Sequence, residues 1–392
     1  MPFYVTRGHI PGKRHIQFRP PDGGLYKEQV MGTRGFSGAQ SILYHIHAPT
    51  AVTRTIDLGP VTRDFETPGA LRHRHFRTAA LEPGGDILTG RRLLMGNADI
   101  TLSIARPTET QQYFYRNGQG DEVLFIHRGR GRLQTCYGSL SYMEGDYLVI
   151  PIGTTWRMVP DTGDEHRVLV MEAAGAVAPP RRYHNEWGQL LEHSPYCERD
   201  IRVPDELETY DENGEFEVRV RARDRLTAVY LDHHPLDVVG WDGYLHPYAL
   251  SIYDFEPVTG RIHQPPPVHQ TFEGPGFVIC SFVPRLFDYH PLSIPVPYNH
   301  SNVDSDEVLY YVDGNFMSRR GIEPASVTLH PAGIPHGPHP GAVEASLGRQ
   351  RTEELAVMLD TFKPLQVARN AVPLEDPAYL RSWLPSEGAS HS

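Results

Sequence analysis

Two segments of this 392-residue chain repeat one another, and the duplication limits what it can fold into more than any other feature does. Residues 115–129 read YRNGQGDEVLFIHRG and residues 300–314 read HSNVDSDEVLYYVDG. Tyr115, Asn117, Asp121, Glu122, Val123, Leu124 and Gly129 fall on His300, Asn302, Asp306, Glu307, Val308, Leu309 and Gly314 at a constant offset of 185 residues. Farther on, Gly145–Trp156 (GDYLVIPIGTTW) answers Ala325–His336 (ASVTLHPAGIPH). Pro151, Gly153 and Trp156 thereby align with Pro331, Gly333 and His336. Two matched segments in one order mean duplicated domains, expected at 1–225 and 226–392, the second ending in a C-terminal cap.

The repeats sit in strand-like sequence. Glu122–His127, Arg132–Tyr137 and Tyr147–Ile150 are short alternating runs bounded by Gly, Asp or Pro, and Ser41–His47 is a similar run between loops. With 36 glycines and 35 prolines as punctuation, the chain is expected to be mainly β with a few short helices. Helices are expected within 180–196 and 351–362, and a helical turn at 376–384. The last residues, SEGASHS, are expected to fray. A formal net charge of −11 without a basic block argues against nucleic acid and anionic membranes as partners. No stretch is apolar enough to span a bilayer, so the cytoplasm is the expected location. Cys136, Cys197 and Cys280 lack metal or redox spacing and read as reduced structural thiols.

Side chains alternate along a strand, so His300 and Asn302 share one face, and beyond the turn Glu307, Leu309 and Tyr311 share another. In a small barrel that face is the interior, and the turn at Gly333 carries His336 to the same mouth. Two imidazoles and a carboxylate would converge with open positions left over, the set expected for a non-heme Fe(II) centre. Taken singly, each residue has an ordinary reading: a histidine is usually a surface or satisfied core residue, and Glu307 can be a solvated turn carboxylate. Asp306 competes for the carboxylate role, and the spacing to Gly314 favours Glu307. The first repeat keeps Glu122 but carries Tyr115 and Trp156 at the histidine positions, and is expected to be a metal-free structural partner. His45/His47, His73/His75 and His233/His234 lack a third ligand and read as surface or interface residues.

These segments resemble the two signatures of the cupin superfamily. His300-x-Asn302, Glu307 and Gly314 fit the first, and Pro331, Gly333 and His336 fit the second. The fold this implies is two cupin-type jelly-roll β-barrels. With GHIPGKRHIQF near the start, VVGWDGYLHPY at 238–248 and IPHGPHPG at 334–341, the chain also resembles the homogentisate 1,2-dioxygenase family along its whole length. The resemblance implies Fe(2+) held by His300, Glu307 and His336, with His263 as the acid–base group. Tyr298, Asn302, Phe316, His330 and His336 become candidate substrate contacts. It further implies O2 and a small aromatic acid as reactants, homogentisate going to maleylacetoacetate in tyrosine and phenylalanine catabolism, and a homo-oligomer, trimer or hexamer. There are departures. The loop between His300 and Glu307 is one residue longer than in well-known members. Phe316 stands where the family has an active-site tyrosine, and the chain is shorter than the eukaryotic enzymes. A related phenolic acid as substrate, or a metal-dependent cupin isomerase or hydrolase, are the alternatives. A non-catalytic bicupin or a phenolic-acid sensor fits less well, because structure alone gives no reason to keep both histidines in one repeat.

Overall fold

The computed structural model describes residues 3–314, 316 and 321–384, so the expected fraying of SEGASHS lies outside the described residues. The chain is mainly β and builds two jelly-roll halves of the cupin type. In the first half, an eight-stranded sheet has Asp146–Ile150, Glu122–Arg128, Arg167–Ala173 and Ile100–Ala105 at its centre. Ile100–Ala105 (ITLSIA) is buried at all its positions, as a β-branched run between two layers should be. Facing it, a seven-stranded sheet contains Phe114–Asn117, Gly131–Thr135 and Thr155–Pro160 and ends in the exposed edge strand Val52–Pro60. Leu124, Leu148, Trp156 and Tyr115 fill the space between them.

The second half is a six-stranded sheet in which Asp306–Asp313 lies between Ser326–His330 and Leu355–Thr361. Its far edge is Arg74–Arg77, a strand from the N-terminal part of the chain, which pairs with Ser326–His330. In return, Gln366–Val367 pairs with Arg92–Gly96 on the first half's eight-stranded sheet. Val238–Gly243 and Tyr248–Ser251 also pair with strands from the first repeat's side of the chain. The halves are thus laced together, and one apolar core runs between them. Phe125, Tyr147 and Val149 from one sheet meet Phe272, Ile279, Val308 and Tyr310 from the other. Burying each such side chain contributes about 1.5–3 kcal/mol. Two buried polar contacts fix the register of the halves: His127 Nδ1 lies 2.5 Å from the Tyr310 hydroxyl, and the Tyr147 hydroxyl 2.9 Å from Ser281 Oγ.

Two helix expectations fail. Within 351–362, Leu355–Thr361 is a central strand. Leu355, Val357 and Leu359 enter the shared core, while Ala356, Met358 and Asp360 face a pocket. With both faces buried, the period-2 signal is hidden by apolar residues at every step. Within 180–196 only the single turn Arg181–Tyr183 is helical. The C-terminal cap does contain a turn of 3-10 helix, Tyr379–Arg381.

Candidate metal centre

Glu307 follows directly on Asp306 at the start of the strand Asp306–Asp313. Alternation sends Glu307, Leu309 and Tyr311 toward the pocket and Val308, Tyr310 and Val312 into the core. Asp306 faces away from the pocket with both oxygens engaged: Oδ1 accepts from the Ala332 amide at 2.9 Å and Oδ2 from the Leu365 amide at 2.8 Å. Asp121 does the same in the first repeat, accepting from the Ile152 and Val177 amides at 2.9 Å each. The repeated aspartate is therefore a brace for two loops, and of the two neighbouring carboxylates Glu307 is the one that faces His300 and His336.

The two histidines are zipped together by their backbones. The His300 amide donates to the His336 carbonyl at 2.7 Å and the His336 amide returns the bond at 2.8 Å. Gly337 permits this approach, since a Cβ there would lie 2.3 Å from Asn299 Oδ1. Gly333, at φ +91°, makes the turn that leads into His336. The ring centroids of His300 and His336 are 4.2 Å apart. Nε2 of His300 lies 3.3 Å from Glu307 Oε2, and Nε2 of His336 lies 3.1 Å from Oε1. One ligand atom from each of the three residues lies within 4.8 Å of the others. Nδ1 of both His300 and His336 is buried without a protein partner among the described residues. Two imidazoles and one carboxylate aimed at one point, with a pocket on the open side, fit a divalent transition metal that keeps positions for other ligands.

Behind Glu307 stands His330, its register partner on the next strand. His330 is fully buried. Its Nδ1 lies 2.9 Å from Glu307 Oε1, its Nε2 3.0 Å from the Tyr379 hydroxyl, and its ring stacks on His336 at 4.4 Å. The sequence put it among substrate contacts; its bonds instead orient the carboxylate. Burial pushes the Glu307 carboxyl up, but bonds from His300, His330 and His336 outweigh it and hold the group well below the usual carboxylate range. Asp360, opposite Glu307 on the other neighbouring strand, is pushed up to about 7 by burial and by the Glu307 charge.

The pocket before these residues has a volume of about 260 Å³, and Tyr298, Asn302 and Phe316, expected as substrate contacts, are in its wall. Asn302 Nδ2 donates to Asp360 Oδ1 at 3.2 Å, and the Phe316 ring meets Tyr311 edge-on at 4.7 Å. His263 is also in the wall, with Nδ1 3.3 Å from Asp288 Oδ2 and Nε2 3.1 Å from the Tyr298 hydroxyl. The Tyr298 ring in turn lies 5.9 Å from that of His300. The relay Asp288–His263–Tyr298 therefore leads to the triad. Asp288 was missed, and only an FDYH string twenty-five residues past His263 hinted at it.

The corresponding place in the first repeat is filled by protein. Arg91 Nη1 lies 2.8 Å from Glu122 Oε1 and 2.9 Å from Glu172 Oε1, and Arg221 also pairs with Glu172. Glu172 faces Glu122 across the strands as Asp360 faces Glu307. Burial pushes Glu172 up, but the two guanidiniums outweigh it and hold it at about 2. Tyr115 and Trp156 meet edge-on at 5.4 Å over this cluster. The other histidines, read as surface or interface residues, are mostly not at the surface of the chain. His45, His73, His75, His233 and His234 are buried. His73, on the exchanged strand side, packs against His330 and His336 at 5.4 and 5.9 Å, and His45 Nδ1 lies 2.6 Å from Asp237.

Comparison with known proteins places the chain in a family. The family model described as homogentisate 1,2-dioxygenase N-terminal matches residues 19–254, more than half of the chain. A candidate dioxygenase of Saccharolobus solfataricus is 42% identical over 389 residues, covering 98% of this chain and 100% of its own. Homogentisate 1,2-dioxygenase of Bradyrhizobium diazoefficiens is 29% identical over 69% of this chain and 62% of its own length. That of Mus musculus is 25% identical over 96% and 92%. Among solved structures, a cupin 2 conserved barrel domain protein from Leptotrichia buccalis aligns with 80% of this chain and 97% of its own, at 10% identity and a TM-score of 0.33.

Proposed function

Because the chain belongs to the homogentisate 1,2-dioxygenase family, and is by that membership a dioxygenase, we propose that it opens the ring of a para-dihydroxy aromatic acid, with homogentisate the leading candidate. The observation that carries this reading is the convergence of His300, Glu307 and His336 at the end of a pocket whose wall also holds the Asp288–His263–Tyr298 relay. Fe(II) bound by these three residues would supply O2 activation and acidify a phenolic hydroxyl. For homogentisate, entry of both oxygen atoms gives maleylacetoacetate.

The chain's own part is to bind, orient and move a proton. Leu309, Phe316, Met358 and Pro297 give the pocket apolar walls that take a ring and exclude water. Asp288 accepts from His263 Nδ1–H, which leaves Nε2 as the basic nitrogen facing Tyr298. A substrate hydroxyl in the place of the Tyr298 contact, or bridged by it, would give its proton to Nε2. Asn302, held by Asp360, presents a fixed amide beside the triad.

The first repeat enters this proposal as a structural partner. Arg91 already stands at Glu122, which supports one metal ion per chain. The two units proposed are 1–225 and 226–392, with Val238–Gly243 and Tyr248–Ser251 of the second pairing with strands of the first. A homo-oligomer, trimer or hexamer, is supported by the exposed Val52, Ile56 and Leu58 on the edge strand, and a cytoplasmic location by three unpaired cysteines. No helix among the described residues is long and apolar enough to cross a membrane.

The test is anaerobic iron loading, then oxygen consumption against a panel of dihydroxyphenyl acids, with metal analysis of three variants. Wild type is expected to bind about one iron per chain. Glu307→Gln and His336→Ala should lose iron and turnover with the fold intact, while Glu122→Gln keeps its iron. No oxygen uptake with any such acid would refute the ring-opening reading. Two irons in wild type, or iron lost on changing Glu122, would refute the one-site reading.

A further inference from the structure

The strands that carry Glu307 also define the pocket's long axis. Glu307, Leu309 and Tyr311 lie in register with Asp360, Met358 and Ala356, and Phe282 pairs with Ala356 on the next strand. All seven line the pocket. Four residues of strand separate the Glu307 level from the Ala356 level, about 13 Å at roughly 3.3 Å per residue. One end of the pocket is therefore the triad. At the other end are Phe282, His269, Glu354 and Arg285.

Arg285 is the cation among the described residues of the pocket wall. It sits on the two-residue strand Arg285–Leu286, whose backbone is held by pairing with Arg351–Thr352. Its side chain is 18% exposed. Nη1 donates to the Val283 carbonyl at 3.2 Å and to Glu354 Oε1 at 3.3 Å. Those two long bonds fall on one nitrogen. Nε and Nη2, one complete edge of the guanidinium fork, have no protein partner among the described residues, and neither is sealed from solvent. An open guanidinium edge in an apolar, half-enclosed pocket matches a carboxylate, which takes two parallel N–H bonds. Glu354, itself in the pocket wall, takes only Nη1 and leaves that edge clear.

His269 adds a second polar point at this end. It is buried, its ring lies 4.6 Å from Phe282 at a 32° tilt, and burial keeps it neutral, pushed down to about 3. Neutral, it adds no second positive charge beside the Arg285 guanidinium.

We propose that Arg285 is the substrate-anion clamp, binding the carboxylate of an aromatic acid whose ring spans the pocket toward the triad. The inference rests on the ring-opening reading for the identity of the ring, but the clamp itself recognises the acid group alone. The clamp makes the pocket selective for acids over neutral hydroquinones, a discrimination the triad does not supply.

The test is calorimetric binding to the anaerobic iron-loaded protein with three probes: homogentisate, its methyl ester, and phenylacetate, which has the acid but no hydroxyl. Wild type, Arg285→Met and Arg285→Lys are compared, the methionine keeping the packing on Phe282. Arg285→Met is expected to weaken homogentisate and phenylacetate at least tenfold and to leave the ester within about twofold, with Arg285→Lys between. Equal losses for acid and ester would make Arg285 a packing residue and overturn the proposal, as would unchanged acid binding in Arg285→Met. Phenylacetate binding that depends on Arg285, without oxygen uptake on any dihydroxy acid, would leave the clamp standing and remove the ring-opening reading.

Discussion

Arg91 is expected to be worth more to the fold than any surface ion pair, and replacing it with methionine tests why. Its Nη1 is the hydrogen-bond partner of Glu122, whose carboxyl is completely buried and whose Oε2 has no partner. Arg221 is occupied by Glu172. Arg91→Met therefore leaves one buried carboxylate without compensation, and losing one partner of a buried pair costs about 3–5 kcal/mol. Against a typical total of about 5–15 kcal/mol, urea denaturation should show a large fall in midpoint. The pH dependence follows from the sign of the Glu122 shift. Burial already raises its folded pKa, and without Arg91 the rise is larger. A group raised on folding opposes folding when it must be ionised, so the deficit of Arg91→Met is greatest above the folded pKa. It shrinks as pH falls toward the unfolded value of about 4.3. Adding Glu122→Gln to Arg91→Met should recover a good part of the loss at neutral pH. A loss below about 1 kcal/mol, or a deficit that does not change with pH, would refute the view that Arg91 neutralises this carboxylate.

Two further outcomes are expected at the second repeat. His263→Ala should retain iron and lose turnover on the order of 100-fold or more, because the base is removed and the metal ligands are not; iron lost by metal analysis, or unchanged turnover, would give His263 another role. Asp306→Asn should retain iron and lose about 1–3 kcal/mol in denaturation, since an amide cannot accept from both Ala332 and Leu365. Iron lost from a folded Asp306→Asn protein would restore Asp306 as a ligand.

The sequence revealed most where neighbours along the chain are neighbours in space. The strand Asp306–Asp313 and the turn at Gly333 are local, so alternation alone brought Glu307 and His336 to one side. What stayed hidden depends on pairing between distant segments. Arg74–Arg77 joins the second half's sheet across some 250 residues, and that pairing buries His73 beside His330 and His336, where sequence reasoning had read it as a surface or interface residue. Asp288, Arg285 and Arg91 reach their partners from loops or edge strands whose position no periodicity encodes. The strand Leu355–Thr361 was misread as a helix for a related reason. Its second face lines a pocket, so Ala356 and Met358 are as apolar as the core-facing Val357 and Leu359.

The two repeats place a glutamate at one position of one strand and bury it, which obliges each half to supply positive charge there. The first half does so with a fixed guanidinium, Arg91, and backs it with Glu172 and Arg221. The second half offers imidazoles and an open pocket, and among the described residues its second carboxylate, Asp360, has only Asn302 for a hydrogen-bond partner. Retention of Glu122 without histidines then needs no appeal to a lost site, because Glu122 is one end of a buried charge network that holds Ile87, Glu172 and the Glu122 strand together through Arg91. The same logic bears on the second half. Glu307 is buried and Asp360 half-buried beside it, with no arginine between them among the described residues, so their charges oppose one another and a cation there would be favoured. A divalent ion at His300, Glu307 and His336 would meet that need as Arg91 does in the first half, so metal binding and stability of the second sheet should rise and fall together.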